Sequence, residues 1–267
     1  MQKSNNDFGF IRVGAAVPKL KVGNPIFNAE EITRIIDQAN KSNVQILLFP
    51  ELCISGYTSA DLFHQKALLA ASLRGLKTVM DKTKKAKAAV IVGFPLECGD
   101  KIYNVAAFIH AGKIWGLVPK TYIPNYKEFY EQRWFSSANV LRQKSVKIFG
   151  RDIPIGKDLL FSARGINNGV FGIEICEDLW VPIPPSSHQT MAGATVIFNP
   201  SASNELVGKS SYRRSLVINQ SARTFSGYVY ASCGTHESST DVVFGGHAII
   251  AENGSLLNEN SRFARES

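Results

Sequence analysis

Apolar positions along this chain recur with two different periods, and the two periods take turns. IRVGAAV (11–17) reads as a strand, whereas NAEEITRIIDQANKSN (28–43) places Ile32, Ile35, Ile36 and Ala39 on one helical face. Asn28 is the expected cap of that helix, with Glu30 and Glu31 in its first turn. VQILLF (44–49) is continuously apolar, as a strand covered on both faces must be, and it stops at Pro50-Glu51. A helix is expected from Asp61 to about Lys87, followed by a third buried strand, AAVIVGF (88–94). YNVAAFIHAGKIWGLVPK (103–120) predicts a hairpin about His-Ala-Gly-Lys. A long aromatic loop follows, then strands in VKIFGRDIPIG and in the run ending at Cys176. TVIFNP (195–200), a helix over 208–225, YVYASCG (228–234) and a hairpin turning at Asn253-Gly254 complete the pattern. Buried strands alternating with helices, with antiparallel hairpins added, predict a layered α/β fold with a mixed sheet. No repeat, low-complexity tract or linker interrupts it, so residues 1–267 read as a single domain.

Composition narrows the function classes. With 267 residues and 45% hydrophobic content the chain can bury a large core. A net charge of +8 raises the question of nucleic acid, but the basic residues are scattered. The densest cluster, Lys82 to Lys87, ends an expected helix, where cations favour the helix dipole. Without clustered Arg/Lys and stacking aromatics, a nucleic-acid binder is disfavoured. No apolar run reaches membrane-span length and the first ten residues lack a signal-peptide pattern. The four cysteines (53, 98, 176, 233) form no CxxC pair, so neither a metal site nor a disulfide framework is expected, and a cytoplasmic setting fits. Cys53 and Cys233 are expected to be packed, and Cys98 to lie in a loop.

Three apolar strands end in reactive side chains: VQILLFP at Glu51, KIWGLVP at Lys120 and VFGIEI at Cys176. Strand ends are where layered α/β folds gather side chains from distant sequence around a ligand. A thiol is mostly protonated at neutral pH and needs a base; none of the five histidines stands at a comparable position, which leaves Glu51. Lys120 would balance the charge and help hold the oxyanion of a tetrahedral intermediate, with the Glu177 N–H as a second donor. That set describes attack on an amide or nitrile carbon, a thioester and hydrolysis. Taken singly, each residue has a bland explanation: a packed core cysteine, a turn glutamate, a solvated lysine. Their coincidence at three strand ends has none.

The ordered motifs FPELCISGY, VPKTYIP and IEICEDLW resemble the nitrilase (carbon–nitrogen hydrolase) superfamily over nearly the whole chain. The resemblance implies a four-layer α-β-β-α sandwich, Glu51 as general base, Lys120 as oxyanion stabiliser, Cys176 as nucleophile and a second glutamate, Glu131 in preference to Glu128. SGYTSADLF, PNYKEFYEQRWF, CEDLW and NPSASNELVGK further resemble the glutaminase domain of glutamine-dependent NAD+ synthetases. This implies hydrolysis of L-glutamine to glutamate and ammonia. The ammonia would pass to an ATP-dependent synthetase domain whose SGGxDS loop does not occur in these 267 residues. It also implies no cofactor here, ATP and Mg acting only in the synthetase domain, and a homo-oligomer. By the same resemblance Tyr57 helps close the site, Tyr126 and Phe129 line a glutamine pocket, and Glu177 meets the α-ammonium. Ser203 and Lys209 meet the α-carboxylate, Ser201 being the alternative to Ser203; at 209 some relatives are expected to carry arginine. Trp180 is a packing or wall residue, and Asp178 is given no chemistry. Two other functions remain open: a stand-alone amidase acting on another ω-amide or a carbamoyl group, and an inert interaction module that keeps the fold.

Overall fold

A computed structural model describes residues 8–265; of the N-terminal stretch read above for a signal, residues 1–7 fall outside it. Two sheets lie face to face. The first has the order β1 (Val13–Ala15), β2 (Ile46–Leu48), β3 (Ala89–Cys98), β4 (Lys101–His110), β5 (Lys113–Pro119). Its first three strands are parallel and the last two are added antiparallel. The second runs β13 (Ser255–Glu259), β12 (Ala248–Glu252), β11 (Gly227–Ser232), β10 (Val196–Ser201), β9 (Val170–Ile173), β8 (Leu160–Ser162), with β9, β10 and β11 parallel. A separate two-stranded hairpin, β6 (Ser145–Ile148) and β7 (Arg151–Pro154), packs beside β5, and its Ile148 and Ile153 join the core of the first sheet.

The layers follow from which faces are apolar. On α1 (Pro25–Lys41) the face bearing Ile32, Ile36 and Ala39 joins Leu76 and Val79 of α2 (Lys66–Lys82) against Leu47, Val90 and Val92. Between the sheets, Ile46, Leu48 and Ile91 meet Phe171, Ile173, Phe198 and Val229. Beyond the second sheet, Val217 of α4 (Lys209–Arg223) packs on Ile197, Tyr228 and Ile249. The result is the four-layer α-β-β-α sandwich, and the single mixed sheet expected from periodicity divides into two. Continuous apolar runs of this kind are covered on both faces, and periodicity alone does not say by what.

Several boundaries move. Asn24, not Asn28, caps α1 by accepting the Phe27 N–H at 3.2 Å, and Pro25 takes the first helical position, where its missing N–H costs nothing. Asn28 is buried one turn inside, bonded to Lys21 and Ile54 backbone atoms, and Glu30 and Glu31 lie past the first turn. The helix expected over 61–87 is a 3-10 segment, Tyr57–His64, followed by α2, so Lys84, Lys85 and Lys87 fall beyond its end. Cys98 ends β3 and is buried, where a loop thiol was expected. A short helix, α3 (Pro185–Met191), has no counterpart in the expected pattern because PSSHQTM carries no apolar stripe.

Candidate active site

Two tight turns and one strand end bring the chemistry together. After β2 the chain turns through Pro50–Cys53 with Leu52 at φ +50°, and this turn lies directly on β3. A Cβ at Gly93 would stand 2.2 Å from the Leu52 nitrogen, so only glycine admits the approach. After β9 the chain enters the 3-10 segment Cys176–Leu179, and Cys176 itself takes φ +48°, a backbone conformation that non-glycine residues seldom adopt. Lys120 follows Pro119, its N–H held by the Asn104 carbonyl at 2.9 Å.

Glu51, Lys120, Glu131 and Cys176 are all buried and adjacent. Lys120 Nζ donates to Glu51 Oε1 at 2.7 Å and to both Glu131 oxygens at 2.8 Å. Asn104 Nδ2 donates to the same Glu51 Oε1 at 2.6 Å, and the Tyr57 hydroxyl to Glu131 Oε1 at 2.8 Å. The other Glu51 oxygen, Oε2, is buried with no hydrogen-bond partner. Burial pushes the Cys176 thiol well above its ordinary range; Glu51 and Glu131 add to the rise, and Lys120 opposes it. Burial also raises the Glu131 carboxyl, against the pull of Lys120. Burial would lower the Lys120 ammonium, but the Glu131 and Glu51 carboxylates outweigh it and hold the ammonium charged. The set is therefore a resting thiol, a cation between two carboxylates, and one unoccupied carboxylate oxygen.

A cavity of about 520 Å³ opens onto Cys176, lined by Tyr126, Phe129, Glu177, Ser203 and Lys209 among others. Glu177 accepts the Tyr126 hydroxyl at 2.8 Å, and burial raises its carboxyl. Lys209 bonds Asn204 Oδ1 and lies over the Phe129 and Trp180 rings, 5.4 and 5.3 Å from their centroids; burial lowers its ammonium. Ser203 Oγ is buried without a partner, whereas Ser201 Oγ is committed to Asn199 Oδ1 at 2.7 Å. One pocket thus offers an anion, a cation and a free hydroxyl beside a thiol. Tyr57 lines a neighbouring 160 Å³ cavity and reaches the buried cluster through Glu131. Glu128 bonds Asn204 Nδ2 at 2.6 Å, so of the two candidate glutamates Glu131 is the one beside Lys120.

Three buried polar residues at the site escape a motif-based reading. Asn104 orients Glu51. Glu237 accepts the Tyr57 N–H at 2.7 Å and the Thr58 N–H at 3.0 Å, holding the segment that carries Tyr57. Asp178 accepts the N–H groups of Thr121, Tyr122 and Ile175, which ties the Lys120 strand end to the Cys176 turn. An amide or carboxylate amid apolar neighbours, as in YNVAAF, is the available signal, since such a group must find a partner. Cys53 and Cys233 are buried, as their contexts led one to expect. Among the described residues no His/Cys/Asp/Glu cluster fit for a metal occurs, and no helix is long and apolar enough to cross a membrane.

Residues 22–266 match the carbon–nitrogen hydrolase family. The chain belongs to that family. It is 39% identical over 96% of its length to glutamine-dependent NAD+ synthetases of Mycobacterium bovis and Mycobacterium tuberculosis, covering 38% of each. In three dimensions it is similar to a glutamine-dependent NAD+ synthetase from Cytophaga hutchinsonii, with a TM-score of 0.83, 30% identity, and 95% of this chain and 41% of that one covered. An amidase from Nesterenkonia shares the fold, with a TM-score of 0.75 at 18% identity over 94% of this chain and 86% of its own. This carbon–nitrogen hydrolase chain therefore spans less than half the length of the synthetases it resembles.

Proposed function

We propose that this carbon–nitrogen hydrolase domain hydrolyses L-glutamine to glutamate and ammonia, and that the ammonia serves an ATP-dependent synthetase that amidates nicotinic acid adenine dinucleotide to NAD+. The observation that carries the chemistry is the unpartnered Glu51 Oε2 beside a protonated, buried Cys176. Glu51 takes the thiol proton as sulfur attacks the δ-carbon of the amide. The oxyanion is met by Lys120 Nζ and by the Glu177 N–H, which no protein acceptor takes among the described residues. Glu51 then hands its proton to the leaving nitrogen, releasing ammonia and a γ-glutamyl thioester. Water attacks the thioester with Glu51 again as base, and the sulfur recovers its proton as glutamate leaves.

The pocket supports this substrate class. A zwitterionic amino acid loses its hydration on entry and needs an anion and a cation in compensation. Glu177 supplies the first, Lys209 with Ser203 the second, and Tyr126 and Phe129 flank the methylenes. ATP and Mg²⁺ belong to the synthetase in this scheme, the partner is that domain, and the active form is a cytoplasmic homo-oligomer. The test compares L-glutamine with small aliphatic amides and carbamoyl compounds. A γ-glutamyl adduct on Cys176, seen by mass spectrometry after acid quench, is expected with glutamine. Turnover of the aliphatic amides without glutamate release from glutamine would assign a different amidase, and no adduct with any amide would leave an inert module.

Asp178 supplies a further prediction. In Asp178→Asn an NH2 group must face one of three backbone N–H groups, a loss of about 1–3 kcal/mol. Because the two strand ends it joins carry Lys120 and Cys176, kcat for glutamine is expected to drop roughly 10- to 100-fold with little change in KM. Steady-state kinetics normalised to titrated Cys176 would show it, and an unchanged kcat would refute the tie.

A further inference from the structure

Behind the nucleophile lies a row of buried polar groups that the hydrolytic chemistry does not use. Glu174, on the segment between β9 and Cys176, is 1% exposed, and burial raises its carboxyl against the pull of its hydrogen bonds to Tyr228 and Ser186. Its Oε2 accepts the Ser186 N–H at 2.7 Å, and its Oε1 accepts the Tyr228 hydroxyl. The Tyr228 oxygen in turn accepts from Asn199 Nδ2 at 3.0 Å. Asn199 Oδ1 accepts the Cys176 N–H at 3.0 Å. Tyr228, Asn199 and Glu174 come from β11, β10 and the end of β9, so the row crosses three neighbouring parallel strands of one sheet.

The direction of every bond in this row is decided by its chemistry. A backbone N–H only donates, so the amide oxygen of Asn199 must face Cys176 and its NH2 must face Tyr228. The Tyr228 oxygen then accepts from that NH2, and its own proton has one place left to go, the Glu174 carboxylate. Cys176 meanwhile sits at φ +48°, which an L-residue holds only when its surroundings fix it. Because its N–H is engaged with Asn199, that N–H cannot serve the oxyanion, which leaves the Glu177 N–H one residue further on.

We propose that Glu174, Tyr228 and Asn199 form a polarity-defined chain that holds the left-handed backbone of Cys176, making Tyr228 and Asn199 positioning residues for the nucleophile. This rests on Cys176 being the nucleophile of the amidase proposed above. Tyr228 touches no part of the pocket, yet its hydroxyl is the acceptor of the Asn199 NH2; deleting it takes that acceptor away and leaves Asn199 held through its oxygen, by the Cys176 N–H and the Ser201 hydroxyl.

The test uses Tyr228→Phe, which removes one oxygen and keeps the ring that packs on Val217 and Ile249. Expected are a kcat at least tenfold lower for glutamine, a KM within twofold, and an equally slowed alkylation of Cys176 by iodoacetamide. Asn199→Ser should be as damaging or worse, and the double variant should be no worse than Asn199→Ser alone, since both act through one bond. Rates of the Tyr228→Phe protein within twofold of the parent, or a double variant showing the product of the two single effects, would overturn the proposal. The alkylation comparison needs no substrate, so it still decides the matter if glutamine turns out not to be the amide hydrolysed. A purely structural contribution would lower the melting temperature and leave kcat per titrated thiol untouched.

Discussion

Replacing Glu51 by glutamine is expected to lower kcat for amide hydrolysis by about 10²–10⁴-fold, the span of a lost general base. The substitution is nearly isosteric, and the amide oxygen can keep both bonds that Glu51 Oε1 accepts, from Asn104 and from Lys120. The new NH2 then occupies the place of Oε2, the one oxygen with no protein partner. It offers a donor where a proton must be received. Cys176 stays a thiol, because burial holds its proton on. Lys120 retains Glu131 as its anion, so the fold should survive and KM should change little. Steady-state kinetics with a coupled glutamate assay, alongside a quenched search for the thioester, would read both steps. Activity within tenfold of the parent would show that the thiol proton leaves by another route.

How much of this is legible in the chain differs between fold and site. The hairpin 103–120 and the apolar runs at 44–49 and 195–200 announce themselves, because a buried strand has nothing polar to spare. The ends carrying Glu51, Lys120 and Cys176 are equally plain, each an ionisable residue at the close of such a run. Hidden from a reading of periodicity is the partner of each face: two sheets packed together and one sheet covered by helices demand the same apolar strands. Hidden too are residues whose work lies in a hydrogen bond made far along the chain. Asn104 and Glu51 are 53 residues apart, and Asn199 and Cys176 are 23 apart. No local pattern marks such pairs. Asp178 is instructive, since it stands two residues from Cys176 and its carboxyl, raised by burial to about 7, still acts on backbone 57 residues away. The cap of α1 went to Asn24 for a local reason that Pro25 displays openly, the preference of proline for the first helical position.

Lys120→Met should be the most damaging single change, because it acts on stability and on chemistry together. Lys120 is the cation beside Glu51 and Glu131, and all three side chains are buried. Removing one member of a buried ion pair costs about 3–5 kcal/mol, since the remaining charge is left without a counterpart. Here two carboxylates are left, 2.7 and 2.8 Å from an ammonium that is gone. The loss is expected to depend on pH in a definite direction. Burial already raises the Glu131 carboxyl from its ordinary 4.5 to about 7 with Lys120 in place, and without Lys120 it must rise further. A carboxyl that binds its proton more tightly folded than unfolded weakens the fold as pH climbs from the unfolded value toward the folded one. The stability gap between Lys120→Met and the parent is therefore expected to be small near pH 5 and to widen toward pH 8, as urea denaturation at the two pH values would measure. An equal gap at both would mean that Glu131 is not the group left unpaired. Adding Glu131→Gln to Lys120→Met should restore part of the stability at pH 8 and none of the activity. The oxyanion would still lack its Lys120 donor, whose loss alone is expected to cost roughly 10²–10³-fold in kcat.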